Sequence, residues 1–245
     1  MQKIPKIIHY CWFGKGEKNQ KIKECMESWK KYLPDYEIRE WNEDNFDINC
    51  NQYVKEAYKS KKWAFITDYV RLYVLYHYGG IYMDTDVEVL KSLDIFLENQ
   101  AFSGFEDENY VPTGIMGSVK EHIWIEKLLK FYEDKHFIEN GKLDLTPNTQ
   151  TITDITKENF SLVLNNKKQV LKEGLVLYPK DYFCPKNHYN GKIYLTNNSY
   201  AIHHFNGSWE NNNCFNKVKK IIHSLIILLV GEKVHAKIIG YLKRR

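Results

Sequence analysis

At 245 residues the chain is long enough for one sizeable α/β domain and short for two, and 43% hydrophobic with 15% aromatic residues indicates a packed globular protein. Five cysteines, Cys11, Cys25, Cys50, Cys184 and Cys214, form no C-x-x-C pair and make an odd total, which argues against a disulfide framework or a zinc site and fits reduced thiols in the cytoplasm. The net charge of +4 is uneven: residues 216–245 hold eight Lys or Arg against one Glu, so the rest of the chain is net acidic.

The opening MQKIPKIIHYCWFG lacks the long apolar run and small-residue cleavage site of a secretory signal, so it is expected to start a mature domain. Lys6–Phe13 reads as a buried strand closed by a polar turn with Gly14 and Gly16. Ile22, Met26, Trp29 and Leu33 recur at helical spacing, which predicts an amphipathic helix over Asn19–Tyr32 that stops before Pro34. Tyr36–Trp41 reads as a strand, residues 42–47 as a polar loop and Gln52–Ser60 as a second helix. This alternation predicts an α/β fold with a mainly parallel sheet and helices on both faces. Ligands of such sheets gather outside the carboxyl ends of the strands.

From Trp63 to Tyr78 almost every residue is apolar or aromatic, so a helix here is buried on most sides. Its two opposite charges, Asp68 and Arg71, stand at i and i+3 on one face. Buried charges are expensive unless paired or aimed at a polar cavity, so the pair either fixes the helix register or serves a ligand. Gly79 and Gly80 stop the helix, Ile81–Met83 forms a short strand, and Asp84, Thr85 and Asp86 follow. In extended backbone Asp84 and Asp86 share a face, and the repulsion between them is relieved by a divalent cation that prefers hard oxygen ligands.

Further on, Ala101–Glu106 and Thr113–Ser118 read as strands, Glu121–Tyr132 as a helix, the TPNTQTIT segment as a loop, and residues 174–185 as a late strand leading into a loop. In Tyr200–Trp209 the adjacent His203 and His204 point to opposite sides of an extended segment, so one of them reaches a metal; His203 is preferred and His204 is the alternative. Ile221–Val230 is strongly apolar but, at ten residues, falls short of a bilayer span. With its flanking lysines it predicts a basic amphipathic helical tail over residues 216–245, lying on an anionic membrane surface or packed on the domain.

The order Asp68-x-x-Arg71, an apolar stretch, then Gly79-Gly80-x-Tyr82-x-Asp84-x-Asp86 resembles the donor-sugar motif of nucleotide-sugar glycosyltransferases with the GT-A fold. The likeness is to glycosyltransferase family 32, which includes bacterial capsule and surface-polysaccharide enzymes and yeast initiating mannosyltransferases, with the large clostridial glucosylating toxins more distant. The opening I-P-K-I-I-H-x-x-W-F-G, the T-G-I-M-G-S of residues 113–118, the late strand and the Y-A-x-H of residues 200–203 are similar to family segments too. The resemblance implies a Rossmann-like GT-A domain over residues 1–215, with Asp68, Arg71, Asp84 and Asp86 in the catalytic set. It implies Mn²⁺ or Mg²⁺ on Asp84, Asp86 and a late histidine, and donor-sugar hydroxyls on Asp68 and Arg71. Trp12, Phe13, Gly14 and Tyr82 are the implied nucleotide contacts, and Ser208 and Trp209 a small lid hinged at Gly207. The implied donor is a nucleotide sugar, a UDP-sugar ahead of a GDP-sugar. The implied acceptor is a glycan, of a kind that in polysaccharide synthesis is often lipid-linked; no nucleic-acid partner is expected. Family members retain anomeric configuration, and the expected setting is capsule or surface-polysaccharide synthesis in the cytoplasm, on the inner face of the plasma membrane.

Two other classes also use such residues. A glycoside hydrolase needs paired carboxylates, but on opposite sides of the scissile bond and without a metal. A non-catalytic carbohydrate-binding or membrane-surface protein on a degenerate enzyme fold would not need Asp68, Arg71, Asp84, Asp86 and a histidine pair together.

Overall fold

The computed structural model describes residues 2–111 and 114–206 and, in the C-terminal segment, residues 223, 226–231, 234, 238 and 239. The first half follows the predicted order: β1 (Ile7–Cys11), α1 (Gln20–Tyr32), β2 (Glu37–Trp41), α2 (Gln52–Lys59), α3 (Trp63–Tyr78) and β3 (Gly80–Met83). The Asn19 side chain caps α1 by accepting the Ile22 N–H at 3.0 Å, and Asn51 caps α2 by accepting that of Val54 at 3.2 Å. There follow β4 (Val87–Val89), β5 (Ala101–Gly104), β6 (Ile115–Ser118), α4 (Ile123–Lys130), β7 (Ile138–Glu139), β8 (Lys142–Leu143), α5 (Asn148–Phe160), β9 (Gln169–Val170), β10 (Leu175–Tyr178), α6 (Lys180–Phe183) and β11 (Ala201–His203).

Seven strands form the central sheet in the order β2-β1-β3-β6-β5-β10-β9. β1 is parallel to β2 and β3, and β10 is parallel to β5. β6 runs antiparallel to both β3 and β5, and β9 to β10. Five strands therefore share one direction, as the mainly parallel expectation requires, with β6 reversed at the centre. Chain length explains the reversal: only ten residues, 105–114, join β5 to β6, and parallel neighbours need a longer crossover.

Alternation along the strands divides the core between the two faces. Ile8, Tyr10, Ile81, Met83, Ile115, Val176 and Tyr178 pack with Trp29 of α1 and Phe183 of α6. Cys11, Tyr82, Met116, Leu175 and Leu177 pack with α2, α3, α4 and α5. The largely apolar α3 is thereby packed between the sheet and other helices, and its Asp68 and Arg71 are buried with it.

Three local expectations change. α4 is shorter than Glu121–Tyr132, because Glu121 sits at φ +59° and His122 caps the helix through Nδ1, which accepts the Trp124 N–H at 3.1 Å. The TPNTQTIT segment is not a loop throughout: α5 begins at Asn148, directly after Pro147, whose fixed φ suits a helix start. Asp84–Asp86 is a turn, with the Val87 N–H bonded to the Asp84 carbonyl at 3.0 Å, and not an extended run. No described helix is long and apolar enough to cross a membrane. The tail expected over residues 216–245 lies mostly outside the described residues.

A buried latch holds the α3–β3 break. Gly79 and Gly80 have φ of +66° and +104°, and a Cβ on Gly80 would lie 2.7 Å from the Ile7 carbonyl, so neither position tolerates a side chain. Trp41 Nε1 donates to His9 Nδ1 at 3.0 Å, which leaves the His9 proton on Nε2, where it is donated to the Gly79 carbonyl at 2.8 Å. Burial holds the His9 pKa down, to about 4. The unfolded chain takes up this proton first, so stability is full above pH 6.5 and falls as the pH drops towards 4. This linkage costs about 3 kcal/mol at pH 4. Urea unfolding at pH 7, 5.5 and 4 should show a smaller acid loss for His9→Gln than for the wild type; equal losses would exclude the latch as their source.

Candidate active site

The site is built where β1 and β3 end and the chain turns into β4. β11 pairs antiparallel with β4, placing His203 opposite Val87, and so returns a late histidine to the Asp84–Asp86 turn. Asp84, Asp86 and His203 offer ligand atoms that all lie within 4.8 Å of one another. His203 Nε2 is 3.3 Å from Asp86 Oδ1 and 3.9 Å from Asp84 Oδ2. The Asp86 carboxylate also accepts the Asn206 N–H at 2.6 Å.

His204 does not join this group. As adjacent side chains on extended backbone diverge, its Nε2 turns instead to Glu88 Oε2 at 2.7 Å, and Lys21 reaches the same oxygen at 3.2 Å. Of the two histidines, His203 is the one brought to Asp84 and Asp86.

Beneath the turn lies a second, more deeply buried set. The Arg71 guanidinium is 3.4 Å from Asp68 Oδ1 and 3.3 Å from Asp84 Oδ1, and it lies 4.6 Å over the Tyr82 ring. Arg71 Nε donates to the Thr67 carbonyl at 3.1 Å, and Nη2 to Thr67 Oγ1 at 3.2 Å. Tyr82 donates its hydroxyl to Asp84 Oδ1 at 3.0 Å. Asn148, at the start of α5, donates to Asp68 Oδ1 at 2.5 Å. Arg71 and Tyr82 thus fix the Asp84 carboxylate from one side, and Asn148 fixes Asp68.

The charges do not balance in an ordinary way. Three carboxylates face one guanidinium and one imidazole. Burial pushes the Asp68 carboxyl up to about 7, with Asp84 adding to the push and Arg71 opposing it. Burial would raise Asp86 too, but the His203 charge overcomes this and holds its pKa down, to about 2. Burial would likewise lower His203, yet Asp86 raises it well above the ordinary histidine value. Asp86 thus favours a proton on the His203 ring, and a divalent cation would take that proton's place: two hard carboxylates and a deprotonated imidazole make a donor set that fits Mn²⁺ or Mg²⁺.

The other expected contacts divide. Trp12 is half-buried at the end of β1, its Nε1 donates to the Gly16 carbonyl at 2.7 Å, and the Lys18 ammonium lies 5.1 Å over its ring. Phe13 turns into the core against Phe46, so its side chain is spent on packing. Gly14 has φ +87° and donates its N–H to Glu43 at 2.7 Å, and a Cβ there would strike the Trp63 indole at 2.6 Å. Tyr82 is buried under Arg71 and supports Asp84 instead of facing outward. Gly207, Ser208 and Trp209 lie outside the described residues. The residue that sequence reasoning misses is Asn148, since nothing local marks one asparagine as the partner of a carboxylate 80 positions earlier.

The raised Asp68 pKa has a testable consequence. The group is neutral in both folded and unfolded states only well below the unfolded value of 3.8, and its burial as an anion is penalised increasingly as the pH rises from there to about 7. Asp68→Asn should therefore unfold at higher urea than the wild type at pH 8, by up to about 4 kcal/mol, with the gain vanishing well below pH 4. A variant less stable at pH 8 than the wild type would show that the carboxylate is net stabilising.

Residues 19–103 match the model of the glycosyltransferase sugar-binding region containing the DXD motif. The chain is 26% identical over 224 residues to inositol phosphoceramide mannosyltransferase 2 of Schizosaccharomyces pombe, covering 85% of this chain and 59% of that protein. It is 30% identical over 146 residues to a mannosyl phosphorylinositol ceramide synthase of Saccharomyces cerevisiae, covering 57% of this chain and 37% of that protein. The chain thus spans less than two thirds of the length of these curated relatives. Among solved structures it is similar to the PaToxG glycosyltransferase, with a TM-score of 0.48 and 18% identity over 64% of this chain and 70% of that one. By this match and these relatives, residues 19–103 are similar to the sugar-binding region of glycosyltransferases, with Asp84-Thr85-Asp86 standing where that region carries its DXD motif.

Proposed function

We propose that the protein is a metal-dependent glycosyltransferase that moves a hexose from a nucleotide sugar to a glycan acceptor. The observation that carries this reading is the convergence of Asp84, Asp86 and His203 from two distant segments, directly above the buried Arg71–Asp84 pair. Asp84, Asp86 and His203 would hold Mn²⁺ or Mg²⁺, whose chemistry is Lewis-acid stabilisation of the departing diphosphate. Arg71 and Tyr82 hold the Asp84 carboxylate in one orientation, so the site is preorganised before a ligand arrives. Asp68, oriented by Asn148 and kept in a buried cleft, serves as the hydrogen-bond partner of a donor-sugar hydroxyl. The carboxylates lie together on one side of the site, an arrangement that suits a cation better than the flanking acid and base of a hydrolase.

The yeast relatives are named for mannosyl transfer to an inositol phosphoceramide, which makes mannose a candidate sugar and a lipid-borne glycan a candidate acceptor. UDP- and GDP-sugars share the diphosphate chemistry used here, with a UDP-sugar the sequence-based preference. Capsule or surface-polysaccharide synthesis with retention of configuration, on the inner face of the plasma membrane, completes the proposal. The basic tail and the exposed Leu228 and Leu229, 78% and 83% accessible, support a peripheral contact with anionic lipid.

A thermal-shift panel of UDP, GDP and their sugars, with and without Mn²⁺, identifies the donor, since specific binding raises apparent stability. Nucleotide-sugar hydrolysis should require Mn²⁺ or Mg²⁺ and fall at least about a hundred-fold in Asp86→Asn with the circular dichroism unchanged. Full activity in excess chelator would overturn the reading in favour of a hydrolase. For the tail, Leu228→Ser with Leu229→Ser should weaken cosedimentation with anionic vesicles; binding equal to that of the wild type would remove the membrane contact.

A further inference from the structure

The His203 imidazole lies in a slot. One wall is the backbone of Gly114, the residue before β6: a Cβ there would lie 2.8 Å from His203 Nδ1, 3.0 Å from Cγ and 3.1 Å from Cε1, flat against the ring. The Phe205 ring forms another wall, with its centroid 4.3 Å from that of the imidazole. Cys184 Sγ is 4.0 Å from Nδ1, and Nε2 faces Asp86 and Asp84. A ring enclosed on these sides cannot step aside for a methyl group and keep Nε2 where it is.

Gly114 has a second link to the same group. Its carbonyl accepts the Asp84 N–H at 2.9 Å, continuing the β3–β6 ladder by one bond into the DXD turn. Its φ is not in the left-handed region, so alanine could adopt this backbone, and only space forbids it. Gly117, three residues on, differs: a Cβ there would strike the Phe102 ring, which belongs to the core.

We propose that Gly114 is a positioning residue of the cation site, seating His203 by having no side chain and fixing Asp84 through its carbonyl. Two of the three donor groups are then placed by one residue that is itself no ligand. The proposal rests on the reading of Asp84, Asp86 and His203 as a cation site.

The test is a double-mutant cycle on the full chain, with Gly114→Ala, His203→Ala and the double variant, read by Mn²⁺ titration and by Tm. Gly114→Ala should weaken Mn²⁺ binding at least ten-fold and lower Tm. In the His203→Ala background the added methyl occupies vacated space, so Gly114→Ala should there cost neither Mn²⁺ affinity nor Tm. Should Gly114→Ala alone fail to fold, recovery of folding in the double variant supports the seating, and its failure overturns it. Additive losses in the cycle, or a Gly114→Ala protein with wild-type Mn²⁺ affinity, overturn the proposal. Absence of Mn²⁺ binding by the wild type overturns the cation site itself, whereas the Tm cycle separately decides whether Gly114 seats His203.

Discussion

The buried guanidinium of Arg71 is the interaction on which the site depends. It is fixed by Thr67 within its own helix, lies over Tyr82 and is shared between Asp68 and Asp84. One cation thereby links the middle of α3 to the first residue of the DXD turn. Burying a charge in this way costs free energy that only close pairing offsets. Asp84 keeps the guanidinium paired even when Asp68 is neutral, so Asp84 is the partner that Arg71 needs.

The scaffold reinforces this unit from outside. Gly79 and Gly80 let the chain turn tightly between α3 and β3, so that Arg71 and Asp84, one on either side of the break, meet. His9 and Trp41, on the neighbouring strands β1 and β2, lock the Gly79 carbonyl. β4 and β11 then carry Asp86 and His203 together. The pKa displacements in this cleft have two causes: Asp86 and His203 shift each other as an ion pair, and burial raises Asp68.

Neighbours that no local pattern announces decide where several side chains go. Phe13 and Tyr82, expected among the nucleotide contacts, are packed side chains, Phe13 against Phe46 and Tyr82 beneath Arg71. Asp84 and Asp86 converge through a turn, where a hydrogen bond closes three residues, and not by the alternation of a strand. β6 is antiparallel because its connection to β5 is too short to cross over, a constraint visible in the spacing but masked by the alternating pattern of the first hundred residues.

The sequence by itself determined the α/β class, the first three helices and strands, the buried charged helix and the acidic pair beyond its glycine break. These follow from periodicity, capping residues and glycine, which act over a few neighbouring positions. It also narrowed the late histidine that approaches the acidic pair to one of two neighbours, since adjacent side chains on extended backbone must diverge. Only the tertiary structure decided which histidine: the register of β11 on β4 turns His203 inward and sends His204 to Glu88. The same holds for Asn148 on Asp68 and Gly114 against His203, contacts across 80 and 89 positions. Such contacts depend on how whole elements pack, and no short stretch of chain encodes them.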